Sequence, residues 1–168
     1  LFPAHWDLDK LSEGSNVYFF PQQWGKVIDH AESAEGGLTT VTQSADGLLT
    51  LLTNGKFQGN NSEQGEMIAQ KSIALIPLLH TAQRVTALVI GYGTGMTPRV
   101  IHENEFRSLD IAELSEDMVR LADRHFENIN HAVTSQPGVN TYYTDGRNFL
   151  LTQSKEYDLI SIEISSIW

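Results

Sequence analysis

The stretch LVIGYGTG, residues 88–95, is a short apolar run that leads into a turn with glycine at every second position. The apolar residues predict a buried β-strand, and Thr97-Pro98 is typical of the start of a helix. Glycines let a backbone take positive φ angles and approach a ligand closely, and a helix N-terminus presents free N–H groups. The stretch predicts a strand–turn–helix ligand site, with a tight connection that binds nothing as the alternative.

Strand-like and helix-like segments alternate on both sides of this stretch. Apolar runs predict strands at 85–90, 109–114, 140–144 and 157–164. Between the second and third of these, Ser115 is a typical N-cap for a helix. The predicted buried stripe of that helix consists of Met118, Leu121, Ala122, His125 and Phe126. Such alternation predicts a doubly wound parallel sheet.

The first third of the chain has a different pattern. Runs rich in β-branched or aromatic residues lie at 17–20, 25–30, 38–43 and 48–53, with glycine-containing turns after the second, third and fourth. These features predict short antiparallel hairpins. The polar, turn-like segment 59–65 predicts a domain boundary, which gives a β-hairpin domain at 1–60 and a nucleotide-binding domain at 61–168.

A helix is predicted directly after this boundary, at 66–80. Its expected apolar face consists of Ile68, Leu75, Ile76 and Leu79, and Pro77 is expected to distort or end it. The predicted fold class is therefore α/β. It comprises a small antiparallel β domain, then a Rossmann-like parallel sheet of the class I methyltransferase type without its C-terminal strands.

Acidic residues stand at the ends of the three strands that follow the glycine turn. Glu113 lies 22 residues after Gly91, a distance at which an acid can accept hydrogen bonds from ribose hydroxyls. Asp145-Gly146 can accept from an adenine amine and leave room for the ring, although Asp-Gly is also an ordinary turn. Glu163 stands in an apolar strand, where a carboxylate is either functional or part of a buried ion pair. The alternative for Glu113 is a solvated strand-end carboxylate.

Composition and charge exclude several other classes of function. The net charge of −10 argues against nucleic acid as a partner and is compatible with a cationic substrate. There is no cysteine, and the six histidines lack metal-ligand spacing, so no metal is expected. No apolar run approaches the roughly 20 residues of a membrane helix, and no signal peptide is recognisable, which favours the cytoplasm. The chain begins at Leu1 and stops after a strand-like run, as expected of a piece of a longer protein.

Several motifs together are similar to those of the spermidine synthase (polyamine aminopropyltransferase) family, over residues 24–168. The resemblance is strongest to divergent spermidine-synthase-like domains, some of which are fused to membrane transporter segments, so the parent protein is a candidate for a membrane-embedded segment. Besides the glycine turn, the matching motifs are LTNGKFQ at 52–58, IPLLH at 76–80, DIAEL at 110–114, DGRNFL at 145–150 and YDLI at 157–160.

The resemblance implies transfer of an aminopropyl group from decarboxylated S-adenosylmethionine to a polyamine amine, in a homodimer. The turn of Gly91, Gly93, Thr94 and Gly95 would bind the nucleoside. Glu113 would hold the ribose, and Asp145 with Gly146 the adenine. Gln58 and Gln70 would line the cleft shared by cofactor and amine. Glu163 would deprotonate the attacking amine, because a protonated amine cannot displace a sulfonium.

Besides the missing C-terminal strands, departures at two residues keep alternatives open. Thr94 stands where the family carries an aspartate that engages the aminopropyl ammonium, so ordinary S-adenosylmethionine and methyl transfer are also compatible with the sequence. Ser166 stands where the family has a second aspartate that grips the distal amine of the substrate. A nucleotide-binding or assembly module without catalysis is the third interpretation.

Overall fold

The computed structural model describes residues 6–163 and contains two four-stranded sheets. The second sheet is parallel, with the order β7-β6-β5-β8. Its chain passes from β5 outward to β6 and β7 and then crosses back to place β8 on the other side of β5. Open α/β sheets bind ligands at such a reversal, outside the carboxyl ends of the strands. The strands are β5 (Thr86–Ile90), β6 (Ser108–Glu113), β7 (Val139–Tyr143) and β8 (Leu159–Ile162).

Helices connect these strands, as the alternating pattern predicted. Ser115 caps α5 by accepting a hydrogen bond from the Met118 N–H at 3.1 Å. The helices are α3 (Glu66–Leu78) before β5, α4 (Met96–Glu103), α5 (Glu116–His125), α6 (Glu127–Asn130), a 3₁₀ turn (Val133–Ser135) and α7 (Gly146–Thr152). None of the helices within 6–163 is long and apolar enough to cross a membrane.

The first sheet is antiparallel and runs in sequence order, β1-β2-β3-β4. Asn54 and Gly55 form the last hairpin turn, both with positive φ, which those residue types tolerate. Two short helices, α1 (Leu8–Ser12) and α2 (Ser15–Tyr18), precede this sheet along the chain. The strands are β1 (Lys26–Ser33), β2 (Gly37–Gln43), β3 (Leu49–Thr53) and β4 (Lys56–Asn60). The predicted α/β class, a small antiparallel sheet before a parallel one, is confirmed.

One hydrophobic core joins the two sheets. Val41 and Leu51 of the antiparallel sheet belong to the same buried cluster as Val89 of β5 and Leu121 of α5. At the edge of this contact, Asp29 of β1 accepts hydrogen bonds from Arg124 and pairs with His125, each at 2.8 Å. The antiparallel sheet is therefore held firmly against the parallel one, with β4 beside the carboxyl ends of its strands.

The expected strand at 17–20 is wrong. Gly14, with φ of +68°, lets the chain turn into α2, and the backbone of Tyr18 donates back to the Gly14 carbonyl at 2.8 Å. The Tyr18 ring instead packs edge-on against Trp24, and its hydroxyl accepts from the Phe57 N–H at 3.1 Å. Tyr18 therefore packs on the hairpins instead of extending a strand, whereas Phe19 and Phe20 are exposed.

The expected apolar face of α3 is also wrong. Ile68, Leu75, Ile76 and Leu79 are exposed, whereas the face that packs against α4 consists of Gln70, Ala74 and Leu78. These three residues recur every four positions, and the small Ala74 permits close helix packing. The helix ends at Leu78, one residue after Pro77.

The start of α4 differs from the expected N-cap at Thr97. The helix begins at Met96, after Gly95 in the left-handed region at φ of +82°. A side chain on Gly95 would clash, because its Cβ would lie 2.6 Å from Asn130 and 2.7 Å from the Tyr92 hydroxyl. Pro98 is then the third helical residue, where its missing N–H still costs no hydrogen bond.

Candidate active site

A cleft of about 550 Å³ lies at the carboxyl ends of β5, β6 and β8. The β4 hairpin and two residues of α3, Glu66 and Ile73, form its opposite wall. The glycine turn therefore opens into a space bounded by both sheets. The lining residues are Phe57, Gln58, Glu66, Ile73, Ile90, Gly91, Tyr92, Gly93, Ala112, Glu113, Leu114, Met118, Asp145, Gly146, Arg147, Ile162 and Glu163.

The glycine turn at the base of the cleft is held by backbone contacts. The Gly91 N–H donates to the Ala112 carbonyl at 2.9 Å, which continues the β5–β6 ladder into the turn. Gly91 has a φ of +91°, and a Cβ on it would lie 2.5 Å from the Glu163 carbonyl oxygen. Glycine at this position is thus required both by conformation and by the close approach of β8.

Side chains beneath the turn hold it in place, and sequence reasoning missed all of them. Tyr92 is fully buried, and its hydroxyl hydrogen-bonds with Asp123, which also accepts from Thr134 at 2.6 Å. The buried Asn130 amide donates to the Thr94 carbonyl at 3.2 Å and to the Ala122 carbonyl at 3.1 Å. Asp123, Asn130 and Thr134 lie 28 or more residues after Gly95 along the chain, so no local pattern indicated them.

Glu113, which is predicted to hold the ribose, is the last residue of β6 and contacts the glycine turn. Its two oxygens accept hydrogen bonds from the backbone N–H groups of Tyr92 and Ser115, each at 2.9 Å. The side chain is buried against the turn and lines the cleft. Since each carboxylate oxygen has two lone pairs, the fixed carboxylate retains acceptor sites for two hydroxyl groups.

Asp145 and Gly146 line the same cleft at the start of α7. One oxygen of Asp145 caps this helix by accepting from the Asn148 N–H at 2.8 Å, so the carboxylate has a defined orientation. A Cβ on Gly146 would lie 2.3 Å from Ile90, so glycine here lets Ile90 pack under the cleft. The pair therefore offers an acceptor beside an apolar floor, as an adenine ring would need.

Glu163 follows β8 and turns its carboxyl group into the cleft. Its backbone N–H donates to the Ile90 carbonyl at 2.8 Å, which ties it to the residue before the glycine turn. Its Oε2 is buried and has no hydrogen-bond partner within residues 6–163. Burial raises the pKa of Glu163 to about 7; a hydrogen bond from Thr97 opposes this, and the carboxylates of Glu66 and Glu113 reinforce it. A carboxyl group with such a pKa can exchange protons near neutral pH.

The other expected site residues have different positions. Gln58 lines the cleft from β4, as expected. Gln70 and Thr94 do not line it; both are buried behind its wall, and the Thr94 hydroxyl donates to the Gln70 side-chain oxygen at 2.6 Å. The structure thus places Gln70 as a support for the turn, in contrast to the expected cleft-lining position. Ser166 lies outside the described residues.

Glu66 is a lining residue that sequence reasoning overlooked. Its carboxylate accepts from the Gln70 amide at 3.0 Å. Residues four apart on a helix share a face, so the prediction that Gln70 lines the cleft also made Glu66 a candidate lining residue. Arg147 also lines the cleft and is the single Lys or Arg among its lining residues. Four carboxylates therefore face one guanidinium: those of Glu66, Glu113, Asp145 and Glu163.

Two other observations bear on ligands. Within residues 6–163, no group of three or more His, Asp or Glu side chains is arranged to hold a metal ion. A second cleft, of about 590 Å³, lies away from the glycine turn between α1 and the antiparallel sheet, with Trp6, Leu11 and His30 among its lining residues. It lacks the convergent carboxylates of the first cleft.

The chain is similar in sequence to known polyamine aminopropyltransferases. No model of a known protein family matches the chain. A polyamine aminopropyltransferase from Alkaliphilus oremlandii is 30% identical over 103 residues, which are 61% of this chain and 36% of that protein. One from Methanocaldococcus jannaschii is 28% identical over 114 residues, 67% of this chain and 38% of that protein. The chain thus spans little more than a third of the length of these relatives.

Solved structures show the class of fold. Spermidine synthase from Thermotoga maritima aligns with a TM-score of 0.72 at 17% identity, covering 85% of this chain and 48% of that one. A spermidine synthase in complex with the transition-state analogue AdoDATO aligns equally well, at 17% identity over 84% of this chain and 47% of its own. The fold is that of the spermidine synthases. Together with the sequence relatives, it confirms the resemblance to spermidine-synthase-like domains.

Proposed function

We propose that this domain transfers an aminopropyl group from decarboxylated S-adenosylmethionine to an amine of a polyamine. The observation that carries the proposal is the placement of Glu163. A buried carboxyl group with an oxygen that has no partner within residues 6–163 and with a pKa near 7 shares one cleft with Glu113, whose carboxylate is oriented by backbone N–H groups. A nucleoside site beside a proton acceptor is what attack of an amine on a sulfonium nucleoside requires.

Most of the site residues bind the cofactor, and one accepts a proton. Glu113 holds the ribose hydroxyls, Asp145 and Gly146 hold the adenine, and Gln58 closes the cleft from β4. Glu163 accepts the proton of the attacking amine. The amine nitrogen then bonds to the carbon next to sulfur, and the carbon–sulfur bond breaks. Its electron pair returns to sulfur, which leaves neutral methylthioadenosine.

The charge of the cleft supports a cationic ligand. Four carboxylates and one arginine line it, and opposite charges interact favourably where water is partly excluded. A sulfonium nucleoside and a polyamine are both cations, whereas a dinucleotide brings anionic phosphates. The acidic lining therefore favours the aminopropyl-transfer reactants over a dinucleotide.

Methyl transfer from ordinary S-adenosylmethionine is the second candidate function. Thr94 favours methyl transfer, because the glycine turn carries no charge at this position and the Thr94 hydroxyl donates its hydrogen bond to Gln70. A cofactor with a carboxylate would then meet no acid from the turn itself. The carboxylates of Glu66 and Glu163 weigh against this candidate.

Mass spectrometry of the products separates the candidates. The protein is incubated with putrescine or spermidine and with either decarboxylated or ordinary S-adenosylmethionine. We expect methylthioadenosine and an amine heavier by one aminopropyl group, with the decarboxylated cofactor alone. A methylated product would support the second candidate. Nucleoside binding without any product would support a module that has lost catalysis.

The proposal also includes the homodimer and the cytoplasmic location expected from the sequence. Ile160 and Ile162 are exposed on β8, which is an edge strand within the described part of the chain. An edge strand can pair with another chain. Light scattering coupled to gel filtration tests the dimer, for which we expect twice the mass of the chain.

A further inference from the structure

Glu66 occupies a distinctive position at the wall of the cleft. It is the first residue of α3, is half-buried and faces the same space as Glu163 and Gly93. Its Oε1 accepts from the Gln70 side-chain amide at 3.0 Å. One lone pair of the carboxylate is therefore used to fix its orientation, and others are available to a ligand.

Gln70 links Glu66 to the glycine turn. Gln70 is 1% exposed, and its side-chain oxygen accepts from the Thr94 hydroxyl at 2.6 Å. Gly59 makes this packing tight, because a Cβ on Gly59 would lie 2.8 Å from both the Gln70 amide nitrogen and the Thr94 methyl group. Two consecutive hydrogen bonds, Thr94–Gln70 and Gln70–Glu66, thus connect the uncharged glycine turn to a carboxylate that lines the cleft.

The cleft holds Glu66 and Glu163 close enough for their charges to interact. The negative charge of Glu66 is one cause of the raised pKa of Glu163, after burial. The Glu163 Oε2 also has no partner within 6–163. Two carboxylates that repel each other in a partly dry cleft are stabilised by a cation between or beside them.

We propose that Glu66 binds the primary ammonium of the aminopropyl arm and thereby selects the decarboxylated cofactor. This inference rests on the proposed function. In ordinary S-adenosylmethionine, the carbon that bears the ammonium also bears a carboxylate. That carboxylate would meet the negative charge of Glu66 and is rejected by like-charge repulsion. Glu66 is then a specificity-determining residue that supplies the charge Thr94 lacks.

Calorimetric titration of two variants tests the inference. Glu66→Gln removes the charge but keeps an oxygen that can accept from Gln70, so the wall of the cleft is preserved. Glu63→Gln makes the same change of charge at an exposed residue outside the cleft and is the matched control. The ligands are methylthioadenosine, which has no ammonium, decarboxylated S-adenosylmethionine and ordinary S-adenosylmethionine.

We expect Glu66→Gln to bind methylthioadenosine within about twofold of the wild type. Its affinity for the decarboxylated cofactor should fall by about 10- to 100-fold, as for the loss of a hydrogen bond to a charged group. The preference over ordinary S-adenosylmethionine should shrink with it. Glu63→Gln should bind all three ligands like the wild type.

Three results would overturn the inference. An equal loss for methylthioadenosine and the decarboxylated cofactor would make Glu66 a structural residue. Unchanged binding of the decarboxylated cofactor would show that its ammonium lies elsewhere. If the wild type binds none of the three nucleosides, the proposed function itself fails, and that result is separate from any effect of the variant.

Discussion

The two halves of the cleft are built in different ways. The nucleoside half consists of the glycine turn, Glu113 and Asp145, all at the ends of neighbouring elements and oriented by backbone N–H groups. The transfer half consists of Glu66, at the start of α3, and Glu163, which follows β8; the side chain of Gln70, behind the wall of the cleft, orients Glu66. The first half is a property of the fold, whereas the second is a property of this particular sequence.

This difference suggests that binding and chemistry can be separated by mutation. A change in the transfer half should affect turnover and the choice of cofactor while leaving nucleoside binding intact. A change in the nucleoside half should abolish binding and, with it, everything that follows.

Glu163→Gln should give the largest effect. A glutamine cannot accept the proton of the attacking amine, so we expect kcat for methylthioadenosine formation to fall by about 10³-fold. Calorimetry should show methylthioadenosine binding within about twofold of the wild type. Turnover at the wild-type rate would remove Glu163 from the chemistry.

Glu113→Ala should give the largest loss of binding. The ribose loses its acceptor, and the N–H groups of Tyr92 and Ser115 lose theirs, so we expect methylthioadenosine affinity to fall by about 100-fold or more. Glu116→Ala, an exposed residue on the first turn of α5, is the control and should bind normally. Normal binding by Glu113→Ala would refute the ribose assignment.

The titration of Glu163 should be visible in the pH dependence of both the reaction rate and the stability of the protein. The carboxylate is the form that accepts a proton, so kcat/KM, which reports the ligand-free protein, should rise by about tenfold per pH unit below pH 7 and level off above it. Because its pKa is raised in the fold from 4.5 to about 7, folding favours the protonated form, and stability is lost as pH rises through that range.

Glu163→Gln removes this loss of stability. Thermal melts should therefore show a higher Tm for Glu163→Gln than for the wild type at pH 8 and equal values at pH 4. Equal values at both pH values would mean that the carboxyl group titrates in its ordinary range.

Asn130→Ala should give the smallest effect on the nucleoside half. It removes the donor to the Thr94 and Ala122 carbonyls, so we expect a loss of about 1–3 kcal/mol in the free energy of unfolding. Methylthioadenosine affinity should fall by about fivefold, because the turn relaxes. Asn128→Ala on the same short helix is exposed and should change neither quantity. A loss of stability without any loss of affinity would show that Asn130 does not position the turn.

The same contrast explains which features could be predicted from the sequence. Local patterns were sufficient for the parallel sheet, the glycine turn and the carboxylates that follow its strands, because strand ends in a doubly wound sheet converge on one edge. The resemblance to spermidine synthases covered the same elements. The helix at α2 was missed because its formation depends on Gly14 and on packing of Tyr18 against a distant hairpin.

The face of α3 was missed for a related reason. Apolar periodicity predicted that Ile68 and Leu75 would be buried. The side-chain amide of Gln70 is buried instead, because Thr94 and Glu66 satisfy its hydrogen bonds. Glu66 lies one helical turn away, but Thr94 lies 24 residues along the chain, beyond the reach of any local pattern. The role of Glu66 consequently emerged only when the two elements were seen side by side.

Comparison of the affinities for the two forms of the cofactor tests the aminopropyl-transfer assignment most directly. Decarboxylated and ordinary S-adenosylmethionine share the nucleoside and differ by one carboxylate, so their relative affinity isolates the acidic transfer half of the cleft. We expect calorimetric titration of the wild type to give a Kd at least tenfold lower for the decarboxylated form. Equal affinities, or tighter binding of ordinary S-adenosylmethionine, would contradict the aminopropyl-transfer assignment.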